Sequence, residues 1–480
     1  MSKHYPLQIA NNILPAAGSI DILAPYDLSL IATADTASED AVELALTTAE
    51  TLYNNKQNWL TVEKRIEIFE NAASIMQQRA EELAINAAHE GGKPLADSRV
   101  EVARAIDGVK NCIELMRNNH GEEIPMNINA ASANRLAMTR REPIGVVVAV
   151  SAFNHPLNLI IHQVGPAIAS GCPVIIKPAE DTPLSCFEFI KILREAGLPE
   201  TWCQSLVVSD LNVASKLVTD PRVAFFSFIG SAKVGWMLRS QLAPGARCAL
   251  EHGGVAPVII EADANLDDVL PLIAKGGFYH AGQVCVSVQR VFAHSSIARQ
   301  VAERLAELGN EMKVGDPTLA DTEIGPLIRP RETDRISQWV NEAIKQGAEC
   351  LSGGEAISDT CYPATVLLQP DPQSKVSTQE IFGPVICVYS YDDVDNAIVQ
   401  ANALPFAFQA AVCTQNIDKA MHAYKKLDAS AVMINDHTAY RVDWMPFAGL
   451  KQSGLGVGGI PHTFRDMQIE KLMVLRSKSL

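Results

Sequence analysis

The feature that most constrains the fold of this chain is a series of short segments that are apolar at almost every position. Residues 145–150 (GVVVAV), 173–176 (PVII) and 223–228 (VAFFSF) are separated by stretches with helical periodicity. Strands without polar alternation are typical of a parallel sheet that is covered by helices on both faces. The sequence therefore predicts an α/β fold.

A second series of apolar segments indicates a second α/β unit. The 480 residues exceed what a single core usually supports, so two or three domains are expected, with a boundary near Gly253-Gly254. The polar, alternating stretch 125–141 predicts an exposed β-hairpin, and residues 1–36 predict hairpins or an irregular arm. Further strands are predicted at 205–208, 248–250, 257–260, 366–368, 385–389, 410–413 and 431–434. Helices are predicted at 38–55, from Thr61, at 97–117, 157–170 and 182–196, from Leu266, and near 295–309, 329–347, 391–402 and 416–427.

Charge and cysteine usage exclude several classes of function. The net charge of −15 argues against nucleic acid or an anionic membrane surface as the main partner. The ten cysteines form no C-x-x-C pair and no zinc-ligand spacing, so we expect buried thiols, no metal site and a reducing, cytoplasmic location. No export signal and no membrane span are expected, because no long apolar run is present.

Cys285 follows a Gly-Gln pair inside an otherwise apolar run, FYHAGQVCVSVQR from 278 to 290. A thiolate is a strong nucleophile near neutral pH, so a turn that presents this residue suggests covalent chemistry. The alternative is that Cys285 is a small core residue, which is the usual fate of a free cysteine.

Two further residues stand where parallel strands end. Asn154 lies just beyond the segment 145–150, where a side-chain amide could donate to a developing oxyanion; the alternative, which this segment by itself favours, is an ordinary Asn-His-Pro turn. Glu251 directly follows the segment 248–250 and stands close to a glycine pair, Gly253-Gly254. A carboxylate in an apolar site can act as a general base, and the alternative is an ordinary acid at the surface.

Three segments suggest a dinucleotide site. Lys177 and Glu180 follow a strand and could hold ribose hydroxyls, or form only a surface ion pair. The turn at 230–231 opens a helix, whose free N–H groups suit a pyrophosphate. Glu380 and Phe382 place a carboxylate and an aromatic ring on a tight turn that could hold a ribose and a flat ring. A formal G-x-G-x-x-G at 454–459 lacks a preceding strand and is rejected.

In order and spacing, these segments together resemble the aldehyde dehydrogenase superfamily over nearly the whole chain. The motifs that carry the resemblance are Asn154, Lys177-x-x-Glu180, Gly230-Ser231, Glu251-x-Gly-Gly254, Gly282-Gln-x-Cys285, Glu380-x-Phe-Gly-Pro384 and Pro446-Phe-x-Gly449. The sequence departs from the common pattern at His252, Val255, Ile229, His280, Ala448, Gln163 and Val457-Gly458.

The resemblance implies a three-part fold. Residues 1–121 and 142–252 would form a Rossmann-like NAD-binding domain, and 253–441 an α/β catalytic domain. Residues 122–141 and 460–480 would form a small β oligomerisation arm, and 442–459 a loop that closes the active site. A homodimer or homotetramer is expected.

The resemblance also implies a mechanism, the oxidation of an aldehyde to an acid with NAD. Cys285 would form a thiohemiacetal and then a thioester, Asn154 would hold the oxyanion, and Glu251 would activate water. NAD is expected over NADP, although NADP remains possible, because a carboxylate at position 180 should repel a 2′-phosphate. The cofactor would contact Ser151, Lys177, Glu180, Gly230, Ser231, Glu380 and Phe382.

The family pattern places the substrate pocket around the same cysteine. Its wall is expected to contain His155, Leu159, His162, Val284, Val286 and Arg441. Arg441 and His162 could receive an anionic tail, which would favour a small semialdehyde or hydroxyaldehyde. Alternatively, Arg441 only pairs with Asp443 or another acid. Two other functions stay open: an acylating dehydrogenase that uses coenzyme A in place of water, and a non-catalytic protein of this fold.

Overall fold

The computed structural model describes residues 3–480. The α-helices are α1 (Glu39–Asn54), α2 (Val62–Gln78), α3 (Ala80–Gly91), α4 (Leu95–Arg117), α5 (Asn158–Ser170), α6 (Leu184–Glu195), α7 (Leu211–Thr219), α8 (Ala232–Arg239), α9 (Leu266–Phe278), α10 (Ala298–Glu311), α11 (Pro330–Lys345), α12 (Lys375–Thr378), α13 (Val394–Asn402), α14 (Ile417–Lys426) and α15 (Ile460–Asp466). Short 3-10 helices lie at Lys56–Asn58 and Tyr279–Gly282. No helix in this part of the chain has both the length and the apolar character needed to cross a bilayer.

The strands run from the first described residue to the C-terminal tail. They are β1 (Lys3–Tyr5), β2 (Gln8–Ile9), β3 (Asn12–Ile13), β4 (Gly18–Leu23), β5 (Leu30–Thr36), β6 (Glu123–Ile124), β7 (Arg135–Pro143), β8 (Val146–Val150), β9 (Val174–Lys177), β10 (Cys203–Ser205), β11 (Val223–Ile229), β12 (Arg247–Glu251), β13 (Ala256–Ile260), β14 (Val288–His294), β15 (Glu349–Ser352), β16 (Thr365–Leu368), β17 (Val385–Tyr391), β18 (Phe406–Ala407), β19 (Gln409–Cys413), β20 (Ala431–Ile434), β21 (Leu450–Lys451), β22 (Gly454–Leu455) and β23 (Gln468–Arg476).

The first large sheet has the order β10-β9-β8-β11-β12-β22, and only its last pair is antiparallel. Val147 and Ala149 of β8 belong to one core cluster with residues of α2, α4, α5 and α6, whereas Val146 and Val148 belong to another with residues of α1 and α7. This two-sided burial explains the apolar character of every position and confirms the predicted parallel sheet. The strand predicted at 205–208 begins two residues earlier and ends three residues earlier in the structure, because the ladder to β9 pairs Cys203–Ser205.

The second large sheet has the order β15-β16-β17-β14-β13-β19-β20, and all neighbours except β15 and β16 run parallel. Its central strand β14 is absent from the sequence prediction because two polar residues, Gln289 and Arg290, stand within it. Arg290 is buried and donates to the carbonyl oxygens of Val255, Gln400 and Ala401. Gln289 donates to Gln379 O and accepts from Ile381 N, so β14 holds the loop that carries Glu380.

A third sheet joins the predicted hairpin to the C-terminal tail. β7 pairs with β6 on one side and with β23 on the other, both antiparallel, and the β7–β23 register extends over nine residue pairs from Gln468–Pro143 to Arg476–Arg135. The hairpin strand continues to Pro143, two residues beyond its predicted end. β23 leaves Leu472, Met473, Val474 and Leu475 about half exposed.

A buried ion pair connects the helical layer to the end of β8. Lys93 and Glu101 are both almost fully buried, and the ammonium of Lys93 donates to Glu101. The other carboxylate oxygen of Glu101 accepts from the backbone N–H of Leu157 at 3.0 Å and of Asn158 at 2.9 Å, where α5 begins. Glu101 therefore fixes the start of the helix that directly follows Asn154.

Replacing Lys93 by Met should destabilise this protein strongly. The substitution leaves the Glu101 carboxylate buried without its counter-charge, and breaking one side of a buried pair costs about 3–5 kcal/mol. We expect the urea-unfolding transition, followed by far-ultraviolet circular dichroism, to move to lower denaturant concentration. Lys110→Met on the exposed face of α4 is the matched control and should leave the transition within error. Equal midpoints for the two variants would contradict the structural role of the pair.

Candidate active site

A cavity of about 410 Å³ opens where the carboxyl ends of β8, β9, β11 and β12 meet the second large sheet. Because these four strands are parallel, the loops that follow them share one edge, which is where α/β sheets bind ligands. The wall contains all the sequence-predicted site residues except His162: Ser151, Asn154, His155, Leu159, Lys177, Glu180, Gly230, Ser231, Glu251, Val284, Cys285, Val286, Glu380, Phe382 and Arg441.

The turn before Cys285 is held by glycine and by a buried glutamine. His280, Ala281 and Gly282 are successive left-handed residues, with φ of 51°, 51° and 67°. A Cβ on Gly282 would lie 2.1 Å from Gly383 O, so only glycine fits there. Gln283 donates to Pro326 O at 3.2 Å and accepts from Ile328 N at 3.0 Å. The turn is therefore anchored on its far side and presents Cys285 to the cavity.

Cys285 is the only cysteine among residues 3–480 that lines this cavity. Burial raises the pKa of its thiol well above the usual value, the carboxyls of Glu251 and Glu380 raise it further, and Arg441 lowers it. The thiol is therefore protonated at neutral pH in this state. A positive charge brought close to it would favour the thiolate.

Asn154 is tied to the cysteine turn. Its Nδ2 donates to the backbone oxygen of Gln283 at 2.9 Å, two residues before Cys285, and the side chain is buried. An amide nitrogen carries two N–H groups, so one donor remains for a ligand. The hydrogen bond fixes the distance between the end of β8 and the cysteine turn.

Glu251 ends β12, and its backbone oxygen accepts from Gly230 N at 3.0 Å. Burial raises the pKa of its carboxyl, and Arg441 opposes this shift. The Arg441 Nη1 lies 3.8 Å from Glu251 Oε1. At Gly458, a Cβ would approach the other carboxylate oxygen to 3.4 Å, so glycine leaves this side of Glu251 open.

Arg441 was expected either to receive an anionic tail or to pair with Asp443 or another acid; the acid beside it in the structure is Glu251, at 3.8 Å, and not Asp443. Its guanidinium lies 3.6 Å from the centre of the Phe447 ring, and its Nη2 lies 3.3 Å from His162 Nδ1. Asp443 instead accepts from Arg104 at 2.7 and 3.0 Å. Arg104 also lines the cavity, and sequence reasoning missed it because it comes from α4, far from every recognised motif.

His162 was predicted in the pocket wall, and the structure places it behind the wall instead. Burial lowers its pKa to about 4, so the imidazole is neutral. Its Nε2 donates to Asp443 Oδ1 at 2.7 Å, and Nδ1 accepts from Arg441. Asn158, one turn earlier on α5, donates to the same carboxylate oxygen at 3.0 Å. His162 therefore orients Arg441 and Asp443 and does not itself reach the cavity.

The other half of the cavity has the features expected for a dinucleotide. Lys177 Nζ lies 3.3 Å from Glu180 Oε1, and Gly230-Ser231 immediately precede α8. Among residues 3–480, Ser151 Oγ and Glu380 Oε1 are buried without a hydrogen-bond partner. Burial raises the pKa of Glu380 to about 8, and Arg335 opposes the shift. Two unsatisfied oxygens on one cavity wall fit a ligand with hydroxyl or amide donors.

Gly253 and His252 support the backbone around the dinucleotide half of the cavity. A Cβ on Gly253 would lie 1.6 Å from Glu380 Oε1, so the carboxyl rests directly against the backbone. His252, which differs from the family pattern, shares a 2.8 Å hydrogen bond with Gly230 O and packs between Phe228 and Trp236. It supports the turn before α8.

His280 is fully buried, has no partner for either ring nitrogen among the described residues, and faces His155 edge-on.

Comparison with known proteins gives one consistent family. The model of the aldehyde dehydrogenase family matches residues 14–472. The chain is 35% identical to the 3-sulfolactaldehyde dehydrogenase of Priestia aryabhattai over 473 residues, 98% of each chain. Its structure matches aldehyde dehydrogenase 21 of Physcomitrella patens, solved with the reaction product succinate, with a TM-score of 0.94, 31% identity and 99% of each chain covered.

A third match carries a cofactor. The glyceraldehyde-3-phosphate dehydrogenase GapN of Methanocaldococcus jannaschii, complexed with NADP, has a TM-score of 0.91 and 33% identity, and the match covers 95% of this chain and 99% of that one. The family model spans almost the whole sequence, and the matching structures share the complete fold. The chain therefore belongs to the aldehyde dehydrogenase family.

Proposed function

We propose that this aldehyde dehydrogenase oxidises a small aldehyde with an anionic tail, such as a carboxylate or sulfonate, to the acid with NAD. The observation that carries the proposal is one cavity that joins Cys285, Glu251 and Asn154 to the guanidinium of Arg441, with Arg104, which is paired to Asp443, in the same wall. The relative that acts on 3-sulfolactaldehyde and the relative solved with succinate both concern small anionic compounds, which supports the same class.

Cys285 is the proposed nucleophile. The thiol gives up its proton to solvent, the thiolate adds to the aldehyde carbon, and the free N–H of Asn154 together with the backbone N–H of Cys285 stabilises the oxyanion of the thiohemiacetal. NAD, when bound, would accept a hydride, and loss of that hydride converts the thiohemiacetal into a thioester. Glu251 then takes a proton from water as the water attacks the thioester.

The cofactor half of the cavity would hold NAD through seven residues. Lys177 and Glu180 would bind the adenosine ribose, Gly230 and Ser231 the pyrophosphate, and Ser151, Glu380 and Phe382 the nicotinamide end. In this proposal residues 1–121 and 142–252 form the NAD-binding domain and 253–441 the catalytic domain, with 442–459 closing the active site.

We also propose that the chain assembles into a homodimer or homotetramer through the sheet of β6, β7 and β23, the arm formed by 122–141 and 460–480. Support comes from the half-exposed apolar residues of β23, which follow one another along a sheet edge. Ten cysteines without a disulfide support a reducing compartment, and we place the enzyme in the cytoplasm.

Glu251→Gln should separate the two halves of the reaction. The amide cannot accept a proton, so hydrolysis of the thioester slows by about 10²–10⁴-fold, whereas the first hydride transfer does not need this base. Stopped-flow absorbance should show a burst of one NADH per active site followed by a slow steady state. Cys285→Ala, the control, should give no burst. A Glu251→Gln enzyme with an unchanged steady-state rate would contradict the assigned role.

Arg441→Leu should lower kcat/KM for an anionic aldehyde much more than for a neutral one. A hydrogen-bonded charge contact is worth about 1.5–3 kcal/mol, so kcat/KM for succinate semialdehyde should fall by about 10–150-fold. Butanal has the same carbon chain without the carboxylate, and its kcat/KM should change less than threefold, about 0.6 kcal/mol by the transition-state relation. Equal losses for the two aldehydes would exclude an anion-binding role for Arg441.

Glu180→Gln should weaken the preference for NAD over NADP. The carboxylate repels a 2′-phosphate, and its removal should raise kcat/KM for NADP relative to NAD about tenfold, since 1.4 kcal/mol corresponds to a factor of ten. The measurement is initial-rate kinetics with each cofactor at saturating aldehyde. Lys191→Gln, an exposed change on α6, is the matched control. A constant ratio in Glu180→Gln would contradict the assignment of Glu180 to the ribose.

A further inference from the structure

On the basis of the proposed function, we propose that Arg441 couples the tail of the substrate to the base Glu251. Its guanidinium interacts with Glu251 when no anion is present, and an anionic tail draws it away from that carboxylate. Arg441 is then a positioning residue whose partner changes with the occupant of the pocket. The consequence is that hydrolysis of the thioester responds to the charge of the acyl chain.

The hydrogen-bond donors of Arg441 are not saturated. Its contact to Glu251 is 3.8 Å long, its contact to His162 is 3.3 Å, and its Nε is buried without a partner among residues 3–480. By contrast, both bonds of Arg104 to Asp443 are at most 3.0 Å. A guanidinium has five N–H donors, so Arg441 retains the capacity to bind a carboxylate or sulfonate.

The contacts of Arg441 to Phe447 and Glu251 permit a small displacement of its guanidinium. The Phe447 ring supports the flat face of the guanidinium at 3.6 Å, and a cation over a ring is not fixed in the ring plane. The long Glu251 contact adds attraction without a directed hydrogen bond. A bidentate bond to an anion would be shorter and stronger than either contact.

Electrostatics also connects the two groups. Burial raises the pKa of Glu251, and the guanidinium of Arg441, 3.8 Å away, opposes this shift. Removing the guanidinium from Glu251 raises that pKa, so the ionised carboxylate is a stronger base and the group ionises at higher pH. The other titratable or charged groups that face Glu251, Arg441 or their neighbours are Cys285, His155, His162, Asp443, Arg104 and Glu380.

The step under control is hydrolysis of the thioester. Water attacks the acyl carbon while Glu251 takes its proton, the bond between carbon and the Cys285 sulfur breaks, and the thiolate and the carboxylic acid are released. This step neither consumes nor forms NADH. It can therefore be followed without cofactor by acylating Cys285 with an activated ester.

The experiment uses two p-nitrophenyl esters with acyl chains of equal length, the neutral butanoate and the anionic succinate. Each acylates the enzyme, and deacylation of the isolated acyl-enzyme is followed by mass spectrometry between pH 5 and 9. In the wild type we expect the pH midpoint for the butanoyl enzyme to lie about one unit below that for the succinyl enzyme. In Arg441→Gln the butanoyl midpoint should rise by about one unit, and the succinyl midpoint should stay within about 0.3 unit.

The test is whether Arg441→Gln shifts the pH midpoint of deacylation differently for the butanoyl and the succinyl enzyme. Two shifts of equal size in Arg441→Gln would show that the tail and the guanidinium act independently, which overturns the coupling, as would identical wild-type midpoints. Arg441→Lys keeps a cation and should retain the low butanoyl midpoint, which provides a second variant if Arg441→Gln does not fold. If no acyl-enzyme forms in the wild type above the Cys285→Ala background, the proposed thioester chemistry itself fails.

Discussion

The parallel pairing of β8, β9, β11 and β12 is the constraint on which the site depends. Parallel strands deliver their carboxyl ends to one edge, and here those ends carry Asn154, Lys177, Gly230 and Glu251. The pairing is in turn fixed by burial on both faces, because a shift of one residue would exchange the side chains that face α5 with those that face α1. The order of apolar residues in four short strands therefore determines the shape of the cavity.

The second sheet contributes its part through polar groups in an apolar core. Arg290 and Gln289 donate to backbone carbonyls of two helices and of the segments beside them, and Gln289 ties β14 to the segment that carries Glu380. Gln283 does the same for the turn that presents Cys285. Buried polar groups with complete hydrogen bonding specify one arrangement of loops, which apolar packing alone does not. The nucleophile and the cofactor-side carboxyl thus depend on side chains that lie outside the cavity.

Sequence reasoning identified the sheets and most of the cavity wall, because strand-end residues and the Gly-Gln-Val-Cys turn follow local rules. It failed where position depends on tertiary contacts. Arg104 was missed because it reaches the cavity from α4. The strand β14 was missed because it contains a charged residue, Arg290, whose buried guanidinium donates to backbone carbonyl groups. Helix α3 was missed because it follows α2 at Arg79 without a capping side chain. His162 was misplaced because its ring is turned to Asp443 and Arg441, behind the residues that line the cavity, and these tertiary contacts leave no signal in the local sequence.

The charges around Cys285 are arranged to change when a ligand binds. Glu380, with a pKa near 8, carries a proton for most of the time at neutral pH, and the thiol is also protonated. A positively charged group beside them lowers both pKa values, so it favours the thiolate and the ionised carboxyl together. Arg441 already exerts this effect on the thiol from the cavity wall. The reactive form of the cysteine therefore depends on positive charge, and Arg441 alone leaves the thiol protonated.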